Sequence, residues 1–150
     1  MATQITSTSA LATAPQSTPH RLAWVSPLAL LAATTANLGL YRAAGSFFPE
    51  VTAWPGAGAA QIIGANAVYL LLGTIVCALI AWKSSRPAHH YLIVATIGLL
   101  LSLVLPISAG FGYGAPGMPI PGAATVVALS LMHILTFAIS VPLTIRLALS

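Results

Sequence analysis

Acidic side chains are almost missing from this chain: its 150 residues include one, Glu50. Without a second carboxylate there is no pair to divide general acid and general base work. There is also no buried acidic group to orient a histidine beside a serine, as intramembrane or soluble hydrolysis would need. Cysteine is equally scarce. The single Cys77 forms neither an internal disulfide nor the CxxC pair of a thiol oxidoreductase. Charged residues of either sign make up 4% of the chain, against roughly a quarter in a soluble domain. No glycine-rich loop followed by Lys and Ser or Thr offers a phosphate cradle. The five Lys and Arg form no basic stripe interleaved with aromatics, so the sequence gives no reason to expect nucleic acid as a partner. These absences point to a non-enzymatic protein with no resident metal or cofactor.

What is present is apolar. Hydrophobic residues make up 58% of the chain and its mean hydropathy is +0.96. A hydrocarbon core about 30 Å thick takes roughly 20 apolar residues per spanning helix, and four such stretches fit here. They run over about 22–44, 59–82, 91–109 and 123–147. The runs are continuous and too long for the alternating ten-residue pattern of a membrane barrel. The expected fold is therefore all-α, an integral membrane bundle of four transmembrane helices. The first span is the most polar, with Ser26, Pro27, Thr34, Thr35 and Asn37.

The few charges set an orientation. Arg21 precedes the first span, Lys83 and Arg86 lie in "KSSRP" between the second and third, and Arg146 ends the fourth. All four fall on one side of a four-span chain, and the positive-inside rule makes that side the cytoplasm, with both termini inside. They form a cytoplasmic basic rim, joined by His20, His89 and His90, that suits anionic lipid headgroups. Arg42 and Glu50 fall on the opposite side. Residues 1–20, rich in Ser, Thr, Ala and Pro, read as a disordered cytoplasmic tail. The segment lacks the arginines of a transit peptide and the short apolar core of a secretory signal, so the first span serves as an uncleaved anchor in the cell membrane.

Two outer loops, "GSFFPEVTAWPGAG" and "GFGYGAPGMPIPG", are rich in Gly, Pro and aromatics. Phe47, Phe48, Trp54, Phe111 and Tyr113 suit the membrane interface. Two readings stand open for the second loop. Either it lies on the bilayer surface, or it dips back between the helices as a lid, where protein or water would have to satisfy its backbone.

The run "SLMHILTF" places His133 inside the fourth span. At about 1.5 Å per residue it lies roughly 15 Å below the outer end of that span, with Asn66 about 10 Å and Asn37 about 6 Å below the ends of theirs. Ser102 in the third span reaches a similar depth. If the faces converge, Asn37, Asn66, Ser102 and His133 make a hydrogen-bonded layer inside the bundle. Such a layer acts as glue between helices, and a neutral imidazole, with one donor and one acceptor, fits among amides and hydroxyls. Intramembrane ionisable residues also mark solute or proton paths, but no buried carboxylate is present as a relay partner. Haem ligation is disfavoured, since His89 and His90 lie about 15 Å in depth from His133. Small residues recur every four positions at Ala29, Ala33 and Asn37 and at Gly73, Cys77 and Ala81, letting helices approach closely, within the bundle in preference to between protomers. Pro27, Pro106 and Pro142 are expected to bend or loosen their helices.

"TTANLGLYRAAG" in the first span and "LMHILTFAISVPLTIRL" in the last resemble segments of a family of small bacterial four-helix membrane proteins catalogued as a domain of unknown function. The resemblance covers about 21–147, with Asn37, His133 and Arg146 as the matching positions. It implies the same four-span architecture and carries no activity. Two function classes follow from the residues. The first is a structural or accessory membrane component, alone or within a larger complex, whose polar layer is internal glue. The second is an oligomeric permeation or carrier unit for ions or small solutes, working through the layer around His133.

Overall fold

The computed structural model describes residues 18–114 and 117–150. Among the described residues every regular element is helical: α1 (Thr18–Phe47), α2 (Pro49–Ala53), a single 3-10 turn (Pro55–Ala57), α3 (Ala59–Lys83), α4 (Pro87–Gly110) and α5 (Ala123–Ala148). Four of them, α1, α3, α4 and α5, are long and apolar enough to cross a membrane, as their sequences predict. The architecture is that of a multi-pass membrane protein.

The ends of the helices differ from expectation where local chemistry intervenes. α1 starts at Thr18 and runs to Phe47, longer at both ends than the expected span over 22–44. Of the expected tail over 1–20, residues 1–17 lie outside the described residues, and Thr18, Pro19 and His20 already belong to α1. Pro19 occupies the first turn, where its missing N–H has no helical partner to lose. α4 likewise begins earlier than the expected residue 91, at Pro87, which fills the first helical position behind Arg86. Its early start leaves only Ser84–Arg86 to connect α3 to α4. The Ser84 hydroxyl organises that link, lying 2.6 Å from His90 Nδ1 and accepting the Arg86 backbone N–H at 3.0 Å. Pro27, Pro106 and Pro142 all lie inside helices that continue through them.

α1 packs against α3 and α5, and α4 packs mainly against α5. α1 buries Leu22, Val25, Ala29, Ala33, Asn37 and Tyr41, an almost unbroken four-residue stripe. The small-residue spacing at Ala29, Ala33 and Asn37 therefore serves contacts within the bundle, as expected. Two apolar cores result. One gathers Leu22, Val25, Cys77, Tyr91, Val141 and Ala148; the other gathers Tyr41, Val51, Ala57, Ile62, Ala128 and Met132. The first lies toward the end that carries Arg21, Lys83, Arg86 and Arg146, called the basic end below. There Arg21 donates to the backbone oxygen of Ser150, tying the start of α1 to the end of the chain.

The opposite end, the loop end, is covered by α2, the 3-10 turn and the connection from α4 to α5. The indole N–H of Trp54 donates to the Pro119 carbonyl at 2.8 Å and so joins the two loops. The described residues of the second loop are exposed, with Phe111 at 76% and Tyr113 at 82%, apart from Pro121. They cap the bundle and do not enter it. Gly112 and Gly117 adopt φ of +84° and +81°, the left-handed region that a side chain would strain, which explains the glycines at these two turns.

Candidate functional site

Between the two apolar cores the structure places a compact set of polar side chains. Asn37 on α1 donates through Nδ2 to Asn66 Oδ1 on α3 at 3.2 Å and to Thr136 Oγ1 on α5 at 2.8 Å. Asn66 Nδ2 in turn donates to Thr34 Oγ1 on α1 at 3.2 Å. The single hydroxyl proton of Thr136 has two acceptors in reach, Asn66 Oδ1 at 3.2 Å and its own Met132 carbonyl at 2.9 Å. Three helices are thus clasped at one depth. Both amides are buried, Asn37 at 2% and Asn66 at 6% exposure. Among the described residues nothing donates to Asn37 Oδ1, an uncompensated cost inside the layer. A second link lies nearer the basic end, where Ser26 and Thr74 bring their hydroxyl oxygens to 2.9 Å across α1 and α3.

Of the expected layer of Asn37, Asn66, Ser102 and His133, the structure brings the two asparagines into one hydrogen-bonded set. Asn37 and Asn66 form its centre. Thr136 and Thr34, which complete it, were not expected: a threonine hydroxyl can satisfy itself on the carbonyl one turn back, so in sequence it is indistinguishable from a filler residue. Ser102 and His133 stand apart from that set and face elsewhere. The Ser102 hydroxyl donates to the Leu99 carbonyl of its own helix at 2.8 Å. His133 meets Tyr69 edge to face, with ring centroids 5.8 Å apart and planes at 77°, and makes no hydrogen bond among the described residues.

Ser102 and His133 instead line a groove. α3 and α4 are joined by a short link at the basic end, yet both pack chiefly on other helices. The space between them, floored by α5 and touched by Asn37 of α1, is a cavity of about 580 Å³. Its walls are mostly apolar, with Asn66, Tyr69, Ser102, His133, Thr136 and Ser140 among the polar residues that line it. Trp54 and Gly56 bound it at the loop end and Tyr91 at the basic end. Leu72 on α3 and Leu105 on α4 form exposed apolar lips, so the groove opens sideways into the region of the hydrocarbon.

The basic end holds Arg21, Lys83, Arg86 and Arg146 together with His89 and His90. The two histidine rings lie 5.8 Å apart, and the Lys83 ammonium sits 5.5 Å from the Trp82 ring. Among the described residues no three His, Cys, Asp or Glu side chains gather closely enough to hold a metal ion. Cys77 is buried and free in the core of the basic end.

Comparison of the chain with protein-family models, with curated proteins and with solved structures finds no match.

The clasp makes a measurable prediction. Thr136→Val keeps the shape of the side chain and removes two cross-helix contacts, each worth roughly 0.6 kcal/mol in a membrane. The variant is expected to lose about 1 kcal/mol of stability by the same estimate, and Thr34→Val about half of that. Reversible unfolding of the purified protein in mixed detergent micelles measures both.

Proposed function

We propose that this chain is a non-enzymatic component of a cell membrane, a structural or accessory subunit with both termini on the cytoplasmic side. The observation that carries the reading is the way the intramembrane polar groups are used. Asn37, Asn66, Thr136 and Thr34 bond to one another across three helices and hold the bundle together. Polar side chains bonded to one another in this way fix register between helices, and Asn37, Asn66 and Thr136 do so even where they border the groove. Clustering of the cationic residues at the basic end supports the assignment of that end to the cytoplasm. The resemblance of the first and last spans to small bacterial four-helix proteins suggests a bacterial inner membrane.

A second reading, an oligomeric permeation or carrier unit, draws on one specific observation: His133 stays out of the clasp and faces the groove with Ser102. One experiment separates the two. The mass of the gently extracted protein in native lipid is expected to exceed that of the chain and to include a reproducible partner protein. A homogeneous homo-oligomer whose ion or solute flux in liposomes is lost in His133→Leu would overturn the accessory reading and establish the second.

A further inference from the structure

We propose that the groove between α3 and α4 is a binding site for a neutral, lipid-soluble molecule with a hydroxyl head, held at mid-depth by Ser102 and His133. The proposal goes beyond the reading above and needs no partner protein. It starts from the size and shape of the space. A volume of about 580 Å³ is that of a small-molecule pocket. A membrane helix about 10 Å wide and 30 Å long does not fit it. The ends confirm this. Trp54 is held in place at the loop end by its bond to Pro119. At the basic end the Tyr91 hydroxyl reaches across from α4 to within 3.8 Å of where a Cβ on Gly73 of α3 would stand. The open side faces hydrocarbon, so a ligand enters from the lipid and must itself be lipid-soluble.

The polar atoms on the walls choose the head group. Pro106 has no N–H, and the carbonyl one turn back, that of Ser102, therefore lacks its helical donor. The Ser102 hydroxyl proton is already given to Leu99, which leaves Oγ an acceptor. On the floor of the same groove His133 has no hydrogen-bond partner among the described residues, and a neutral ring there offers one N–H and one lone pair. Counted from the loop end of their helices, Ser102 lies about 12 Å deep and His133 about 15 Å deep. A hydroxyl is the simplest group that answers both, donating to the Ser102 side and accepting from the imidazole. A ketone or quinone accepts only and leaves the Ser102 carbonyl unpaired in an apolar site, which is costly. A phospholipid headgroup carries charge that nothing on the groove walls neutralises.

The test uses the full chain in phosphatidylcholine nanodiscs with a long-chain primary alcohol carrying a diazirine in mid-chain, photolysed and mapped by mass spectrometry. Labelling is expected to concentrate on groove-lining residues, to saturate, and to be displaced by unlabelled hexadecan-1-ol but not by its methyl ether. His133→Leu is expected to weaken the apparent affinity roughly fivefold to tenfold, the worth of one hydrogen bond. Because that variant can disturb packing, Gly98→Leu provides a second check. Gly98 lines the groove and a Cβ there meets nothing within 4 Å, so the new side chain fills the space without displacing the helix. It is expected to abolish groove labelling while the protein stays monodisperse and helical. Labelling spread over lipid-facing chains such as Leu100 and Leu131, unsaturable and unchanged in Gly98→Leu, overturns the proposal. Equal displacement by the alcohol and the ether overturns the hydroxyl specificity.

Discussion

Asn37→Asp is expected to cripple the protein while Asn37→Leu leaves it folded. The aspartate changes one atom, yet it puts an acid at the level of the clasp, in a side chain that is 2% exposed. Placing Asp at the centre of a membrane helix costs about 2.5–3.5 kcal/mol on insertion scales. The exchange also removes the Nδ2 donor that serves both Asn66 Oδ1 and Thr136 Oγ1, and turns the remaining face toward an oxygen of Asn66. Leucine loses the same two contacts, worth roughly 1 kcal/mol together. That loss is reduced because the acceptor left unpaired at Asn37 Oδ1 disappears with the amide. The membrane-inserted, monodisperse fraction after extraction is the readout. The expected order is wild type, then Leu slightly below it, then Asp far below. A chain in which Leu is as damaging as Asp would show that the hydrogen bonds of the amide, and not the charge of the acid, decide whether the bundle folds.

This ordering depends on features that differ in how far the sequence reveals them. The number of spans, their apolar character and the single basic end follow from composition and from the positions of five cationic residues, because a bilayer accepts few other solutions. Asn37 and Asn66 were legible as partners from depth alone, since each is an isolated amide in an apolar helix. Azimuth was not legible. His133 and Thr136 are three residues apart on α5, about 60° around the helix at 3.6 residues per turn. That angle decides that Thr136 meets α1 and α3 while His133 meets the groove. It is fixed by how α5 is shared between α1 on one side and α4 on the other, which no pattern within α5 encodes. The groove itself was invisible for the same reason. Ser84–Arg86 is a short link that suggests a close hairpin of α3 and α4, whereas both helices bury their seams on other partners. The seam of α4, at Tyr91, Ala95, Leu99, Ser102, Pro106 and Ala109, repeats every three or four residues. It could be recognised in retrospect from its small and polar members among exposed leucines.

Ala33→Leu is the second substitution expected to have a large effect, and it tests the packing on which the clasp rests. Ala33 has no exposed surface, and the stripe it belongs to is what allows α1 to lie close to its neighbours. Three added carbons in a full space force side chains off their rotamers or push the helix away, at a cost of about 1–3 kcal/mol. The mirror experiment is Leu31→Ala, at a position 67% exposed on the same helix. There the expected loss is near zero, because lipid tails are as apolar as leucine and the side chain gains nothing from its surroundings. Ala33 stands one turn from Asn37, so a displaced α1 also draws the amide away from Thr136. The damage of Ala33→Leu and Thr136→Val combined is therefore expected to fall short of the sum of the two by about 0.5 kcal/mol or more, as for any pair of residues sharing one interaction. Strict additivity would mean that α1 absorbs the leucine by local adjustment, and that the clasp and the small-residue stripe hold the bundle independently.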